Sequence, residues 1–212
     1  MASATPDHRA LHDAENADFS AYLHSLAPEE WDRSSLCDGW LVRHVVGHIL
    51  YGNELKLWTL PIRLARFGFS SDRSGKHYSI ERGDRGTPAE LARDFDARDP
   101  WAGTCRIFPP RLVLLDRLVH QQDIRRALGH PRVIPEDRLR ATLDAAPRLG
   151  NVFRARKRTR GLRFVATDLN WSWGTGPEVN GPGEALLLAM LGRKQAVAGL
   201  SGNGVATFSG RV

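Results

Sequence analysis

The stretch Pro109-Pro-Arg-Leu-Val-Leu-Leu-Asp-Arg-Leu-Val-His-Gln-Gln-Asp-Ile-Arg-Arg-Ala-Leu-Gly129 decides the architecture. Proline suits the opening turn of a helix and glycine tolerates the left-handed turn that ends one, so both boundaries are written into the sequence. Between them Leu112, Leu115, Leu118, Val119 and Ile124 recur at helical spacing and mark one buried stripe. The polar residues of the segment are ordered too. Asp116 and His120 stand four apart, so both project from one face about one turn from each other, and Asp123 lies on that face as well.

Working outward, a first helix is expected from His8 to Leu26, where Leu11, Ala14, Phe19, Tyr22, Leu23 and Leu26 keep the same period. Ala27 to Asp32 reads as a short helical turn. Leu36 to Trp40 reads as a lead-in loop in which Gly39 permits a tight bend. A second helix is expected from about Leu41 through Trp58, buried through Val45, Val46, Ile49, Leu50, Leu55 and Leu57. Phe67 to Gly86, rich in Gly, Ser and charge, reads as a long surface loop. Thr87-Pro-Ala-Glu90 has the capping-box pattern and starts a third helix over roughly Pro88 to Ala97, before the fourth between Pro109 and Gly129.

After Pro131 the texture changes. A helix at about Pro135 to Leu149 leads into Leu162 to Asp168 and Asn170 to Trp173, which read as two strands around a tight turn. The cluster Gly174, Gly176, Pro177, Gly181, Pro182 and Gly183 reads as turns, followed by an apolar helix from Glu184 to Leu191 and a last strand near Val205 to Phe208. The expectation is an α+β chain, with four helices over residues 1–130 and a small α+β domain over 131–212.

Composition bounds what such a chain does. Its 212 residues, 42% hydrophobic and 25% charged, suffice for a real core, so no cofactor is needed merely to hold the fold. No apolar run approaches the ~20 residues that span a bilayer, and Met1-Ala-Ser-Ala-Thr-Pro-Asp7 lacks the basic start and apolar stretch of an export signal, so the expected location is the cytoplasm. Cys37 and Cys105 are too few and too far apart for a disulfide framework and read as reduced thiols. Lys plus Arg outnumber Asp plus Glu by 30 to 24, with Lys only at positions 56, 76, 157 and 194. The sharpest basic run, Arg154-Ala-Arg-Lys-Arg-Thr-Arg160, has no aromatic residue within it and no DNA-reading motif beside it, so it reads as a solvated loop more readily than as a nucleic-acid contact.

The chemistry rests on His48 as well as on the Asp116 and His120 pair. His48 falls within an apolar stripe of the second helix, where an imidazole is costly unless its nitrogens are satisfied. Side by side, the second and fourth helices would bring together His48, Asp116 and His120, a His/carboxylate/His set with open positions that suits a reactive divalent metal site. Two alternatives stand beside this reading. An Asp/His pair four apart also occurs simply hydrogen-bonded, and His44 with His48 forms a second pair at the same spacing.

Cys37-Asp-Gly-Trp40, followed by Val42-Arg43 and His48, resembles the lead-in to the second helix of the mycothiol-dependent maleylpyruvate isomerase family, a branch of the DinB-like metal-binding bundles. Val119-His-Gln-Gln-Asp-Ile-Arg-Arg126 is similar to that family's fourth-helix signature, where a Glu four residues before the His also binds metal. Thr167-Asp168, Trp171 to Gly174, Gly181 to Ala185, Leu191 to Arg193 and Leu200 to Gly204 carry the resemblance along nearly the whole chain. This sequence departs from the pattern in having Asp116 where the family has Glu, one methylene shorter.

The resemblance implies a DinB-like four-helix bundle followed by a small α+β domain. It also implies a divalent metal, usually zinc, on His48, Asp116 and His120, which binds the thiolate of mycothiol, the small-molecule thiol of actinobacteria. In the isomerase version the thiolate adds to a conjugated cis double bond, the new single bond rotates, and elimination returns the trans isomer. In transferase relatives it attacks an electrophilic substrate and stays attached. Arg125 and Arg126 are candidates to steer a carboxylated substrate or the thiol cofactor, although a basic pair at a helix end also complements the helix dipole. The other functional reading is a metal-binding protein of stress or detoxification without catalysis. Cys37 is read as a small buried side chain before a nucleophile, and Trp40, Trp171 and Trp173 as packing before pocket wall.

Overall fold

The computed structural model describes residues 6–148 and 154–212. The readings for residues 1–5 and for the helix end at residue 149 lie outside them. The fold is α+β, mostly helical with one three-stranded sheet. Two compact units emerge, His12–Pro131 and Arg132–Val212, residues 6–11 grouping with the second.

The first unit is built from α1 (His8–Ser25) from His12 onward, α2 (Val42–Glu54), α3 (Leu60–Ala65), α4 (Ser71–Gly83), α5 (Pro88–Ala97) and α6 (Pro110–Leu128). The expected local signals operate. Thr87 and Glu90 form the capping box of α5, and Gly129 closes α6 at φ 73°, a value that costs glycine nothing. Phe19, Trp31, Val42, Val46, Leu50 and Leu91 are almost wholly buried in one cluster, each large side chain contributing roughly 1.5–3 kcal/mol of transfer free energy.

Two expectations are corrected here. The second helix ends at Glu54, and the chain continues as a 3-10 turn, Leu57–Thr59, into α3. The segment expected as a long surface loop contains α4, capped by Ser70, whose Oγ accepts from Arg73 N at 3.2 Å. This helix has almost no apolar stripe because it meets α2 through backbone. A Cβ on Gly47 would lie 2.5 Å from Gly83 N, and one on Gly83 would lie 2.6 Å from Arg43 O. Only two glycines allow that approach, and it carries Ser79 of α4 to His48 of α2.

The second unit contains α7 (Glu136–Ala145), α8 (Ala155–Thr159), β1 (Arg163–Ala166), β2 (Ser172–Gly174), β3 (Glu178–Gly181), α9 (Gly183–Met190) and α10 (Val205–Ser209). β1 is central, antiparallel to β2 and parallel to β3. β3 lies inside the stretch expected to be turns only. The last element, expected as a strand near Val205 to Phe208, is helical, and it delivers Phe208 edge-on to Phe164 at 5.0 Å. Asp168 Oδ1 accepts from Gly183 N at the start of α9, and Trp171 Nε1 donates to Asp144 at 2.9 Å. The basic run is no plain loop either. Its residues 155–159 form α8, and Arg158 donates to Met190 O at 3.2 Å.

Candidate metal centre

The three side chains picked from the sequence converge. Asp116 Oδ1 lies 3.7 Å from His48 Nε2 and 3.4 Å from His120 Nε2, and one ligand atom from each lies within 4.8 Å of the others. The shorter acidic side chain at 116 thus lies within 3.7 Å of both imidazoles. Donors on a tetrahedron with bonds of about 2.1 Å lie roughly 3.4 Å apart. The observed spacings suit that geometry.

Hydrogen bonds on the far side of each ring assign its tautomer. Ser79 Oγ donates to Gly75 O at 2.6 Å, so it accepts from His48 Nδ1 at 3.3 Å and leaves Nε2 of that ring bare. His120 Nδ1 donates to Asp123 Oδ2 at 3.0 Å, which leaves its Nε2 bare as well. Two lone pairs and a carboxylate then face one point, an arrangement that requires a cation. In the metal-free protein a proton fills that role. Burial opposes a charged His120, but Asp116 and Asp123 overcome it and hold its pKa well above the usual histidine value. Burial also disfavours an ionised Asp116, and His120 and His48 together hold it well below the usual carboxylate range. A divalent ion offers the same three atoms a stronger partner, and the donor set fits one.

One side of the cluster is open. The side chains of His48 and Asp116 are 32% and 33% exposed, which leaves room for a further ligand, whereas a structural metal site is closed. Trp40 forms a wall, its ring 5.4 Å from that of His48 and stacked 6.3 Å from that of His120. Trp40 also packs against the hydrophobic core cluster, the role expected of it.

Behind the open side, the fully buried Asp123 takes a second bond, from Cys37 Sγ at 3.0 Å. Cys37 packs against the hydrophobic core cluster, as expected of a small side chain, and its thiol also anchors Asp123. His44 does not compete for the site: its Nδ1 accepts from Leu41 N at 3.1 Å and its Nε2 donates to Asp84 at 3.0 Å. Cys37 and Cys105 are both free thiols, and burial pushes Cys105 up to about 11. Arg125 and Arg126 follow His120 by five and six residues. The Arg125 guanidinium lies 3.7 Å over the Tyr22 ring, and Arg126 is exposed. Ser79 had no sequence signal, since it sits on the helix read as loop.

Residues 12–104 match the family model described as the mycothiol maleylpyruvate isomerase N-terminal domain. Among curated proteins no sequence matches. Two crystal structures of a mycothiol-dependent maleylpyruvate isomerase share the fold. A mutant form has TM-score 0.62 and 17% identity, and the other structure 0.61 and 16%. Each alignment covers 94% of this chain and 93% of the other. No helix among the described residues is long and apolar enough to cross a membrane. Residues 12–104 are thus similar to that family's N-terminal domain, and the chain shares the α+β fold of the two isomerase structures.

Proposed function

We propose that the protein is a metal-dependent, mycothiol-using isomerase or S-transferase acting on a small electrophilic substrate. His48, Asp116 and His120 would hold the metal, zinc being the ion best suited to two imidazoles and a carboxylate in tetrahedral array. The observation that carries this reading is the convergence of His48 Nε2 and His120 Nε2 on the Asp116 carboxylate at 3.4–3.7 Å, with one side open.

A bound divalent cation would supply the charge that lowers the pKa of an incoming thiol and so provides a nucleophile at neutral pH. The chain's own residues do the rest. Ser79 and Asp123 fix the two imidazole rings, Trp40 shapes one wall of the approach, and the exposed Arg126 adds positive charge for an anionic partner. Cys37 donates a hydrogen bond to Asp123. A thiol engaged in that way positions a carboxylate and is not the attacking sulfur, so the nucleophile belongs to the small-molecule cosubstrate.

Elemental analysis of protein grown with zinc, followed by a mycothiol assay against a conjugated cis-enoate and an alkylating agent, tests the reading. We expect about one metal per chain and turnover that depends on both metal and mycothiol. Metal without turnover on either substrate would leave a binding protein of stress or detoxification in place of an enzyme. No metal retained under any condition would overturn the whole reading.

A further inference from the structure

A groove of about 490 Å³ opens between α2, α3 and α4, lined by Tyr51, Leu55, Ile62, Tyr78 and four arginines. The arginines divide into two kinds. Arg82 is held by Glu54 and Asp94, and Arg85 by Glu81. Arg63 and Arg66 have no carboxylate partner among the described residues.

Arg63 is nonetheless fixed in place. Its Nε donates to Thr59 Oγ1 at 3.2 Å, and its Cζ lies 4.4 Å from the Tyr78 ring centre and 5.5 Å from that of Tyr51. The two tyrosine rings stack at 5.4 Å and 20°. A guanidinium held over aromatic faces has already lost the rotamer freedom that binding would otherwise cost. Its planar fork suits a carboxylate, which it pairs with two parallel hydrogen bonds. Leu55 and Ile62 give the groove an apolar wall, and Ile62 is left 63% exposed.

We propose that this groove binds a small organic monocarboxylate with an apolar body, its carboxylate on Arg63 and Arg66 and its body against Ile62, Leu55 and the tyrosine pair. Charge balance favours a single negative charge. Glu54 and Glu81 line the same groove, so they repel phosphate or another dianion more than a monoanion. The volume is within the range of small-molecule sites. Tyr51 comes one turn after His48 along α2, and Tyr78 directly precedes Ser79, so the groove occupies the next turn of the seam that builds the metal centre. The proposal does not depend on the metal.

Benzoate, benzamide and inorganic phosphate would be titrated by calorimetry into the full chain treated with chelator, at one ionic strength. Benzamide keeps the apolar body without the charge, and phosphate the charge without the body. Benzoate should bind at least about tenfold more tightly than either, because it alone satisfies both features. R63Q should weaken benzoate about tenfold, R66Q severalfold, and R63K should fall between R63Q and the parent because it keeps charge but not the fork. Equal binding of benzamide, tighter binding of phosphate, no binding of benzoate, or R66Q matching the parent would each overturn the proposal. R66Q alters an exposed side chain, so it keeps the test decisive if R63Q does not fold.

Discussion

Two neighbouring stripes of α6 bring polar groups into the same bundle and treat them in opposite ways. On one, Asp116, His120 and Asp123 meet His48 and Cys37, and every ring nitrogen is placed against a partner. On the other, about 100° around the helix, Arg117 and Gln121 are buried with His12 of α1, and His12 Nε2, Arg117 Nε and Nη1, and Gln121 Oε1 have no hydrogen-bond partner among the described residues. The two histidines are almost equally hidden. Burial, reinforced by the charge of Arg117, lowers His12 to about 4, while two carboxylates raise His120 well above its ordinary value. Burial of a histidine therefore says nothing about function until the carboxylates within reach are known. Asp13 does contact His12 at 3.1 Å, but its own side chain is 56% exposed, so water weakens its pull.

The comparison breaks first if His120 is dispensable. His120→Ala removes one of three ligands and leaves Asp116 facing His48 alone, so metal affinity should fall by at least about 1,000-fold, beyond the ~10–100-fold typical of residues that only support a ligand. Cys37→Ser, which still offers a donor to Asp123, should stay within severalfold of the parent. Competition with a chromophoric chelator measures both, with folding checked by circular dichroism. A His120→Ala protein that kept its metal would show that the convergence is only a hydrogen-bonded pair.

A second test uses acid. The folded His12 value of about 4 lies below the ordinary 6.5, so between those values the unfolded chain binds more protons than the folded one. Stability from this residue is therefore complete at pH 7 and is lost as pH falls from about 6.5 to 4, by roughly 3 kcal/mol in all. His12→Phe keeps a ring to set against Trp101, now at 4.4 Å, and cannot titrate. Urea unfolding at pH 7.5, 5.5 and 4 should show the variant losing less stability than the parent. Parallel profiles would mean that His12 is charged in the fold.

These contrasts were partly legible in the sequence. The Pro109 to Gly129 helix declared its ends and its stripe, and the spacing of Asp116 and His120 declared a shared face, because caps and helical periodicity are local properties. What stayed hidden depends on partners distant in sequence. α4 packs by glycine backbone, so it offers only Tyr78 and Ile80 as apolar side chains and reads as loop. With it went Ser79, the residue that orients His48. Val205-Ala-Thr-Phe-Ser209 has β-branched and aromatic residues that suggest a strand, and only the burial of Phe208 against Phe164 explains its helical turn. The role of Asp123 was half visible: its face was right, while its bond to Cys37 spans 86 positions.

A third test asks how much Asp123 matters to His120. Asp123→Asn keeps an oxygen that can accept from Nδ1 but removes the charge that favours the Nδ1–H tautomer and strengthens Nε2 as a ligand. Metal affinity should fall ~10–100-fold, less than for His120→Ala and more than for Cys37→Ser. Nitrogen NMR of the labelled histidines in the metal-loaded protein should still report Nδ1–H for His48, whose anchor is Ser79. Unchanged affinity would reduce Asp123 to a packing group and erase one half of the contrast between the stripes.

The smallest expected effect lies on the other stripe, at Gln121. Its side chain is fully buried, its Oε1 has no partner, and its Nε2 reaches Asp18 O only at 3.5 Å. An amide so placed has given up its bonds to water and received little in return, which costs more than an apolar group of similar size. Gln121→Leu nearly conserves volume, so it should stabilise the protein by about 1 kcal/mol or less, without shifting metal affinity, since Gln121 lies on the neighbouring stripe. Urea unfolding at pH 7.5, combined with the chelator competition, reads both quantities on one preparation. A loss of stability of 1 kcal/mol or more would show that the amide is bonded in solution, and the two stripes would then differ in the charge of their partners and not in whether partners exist.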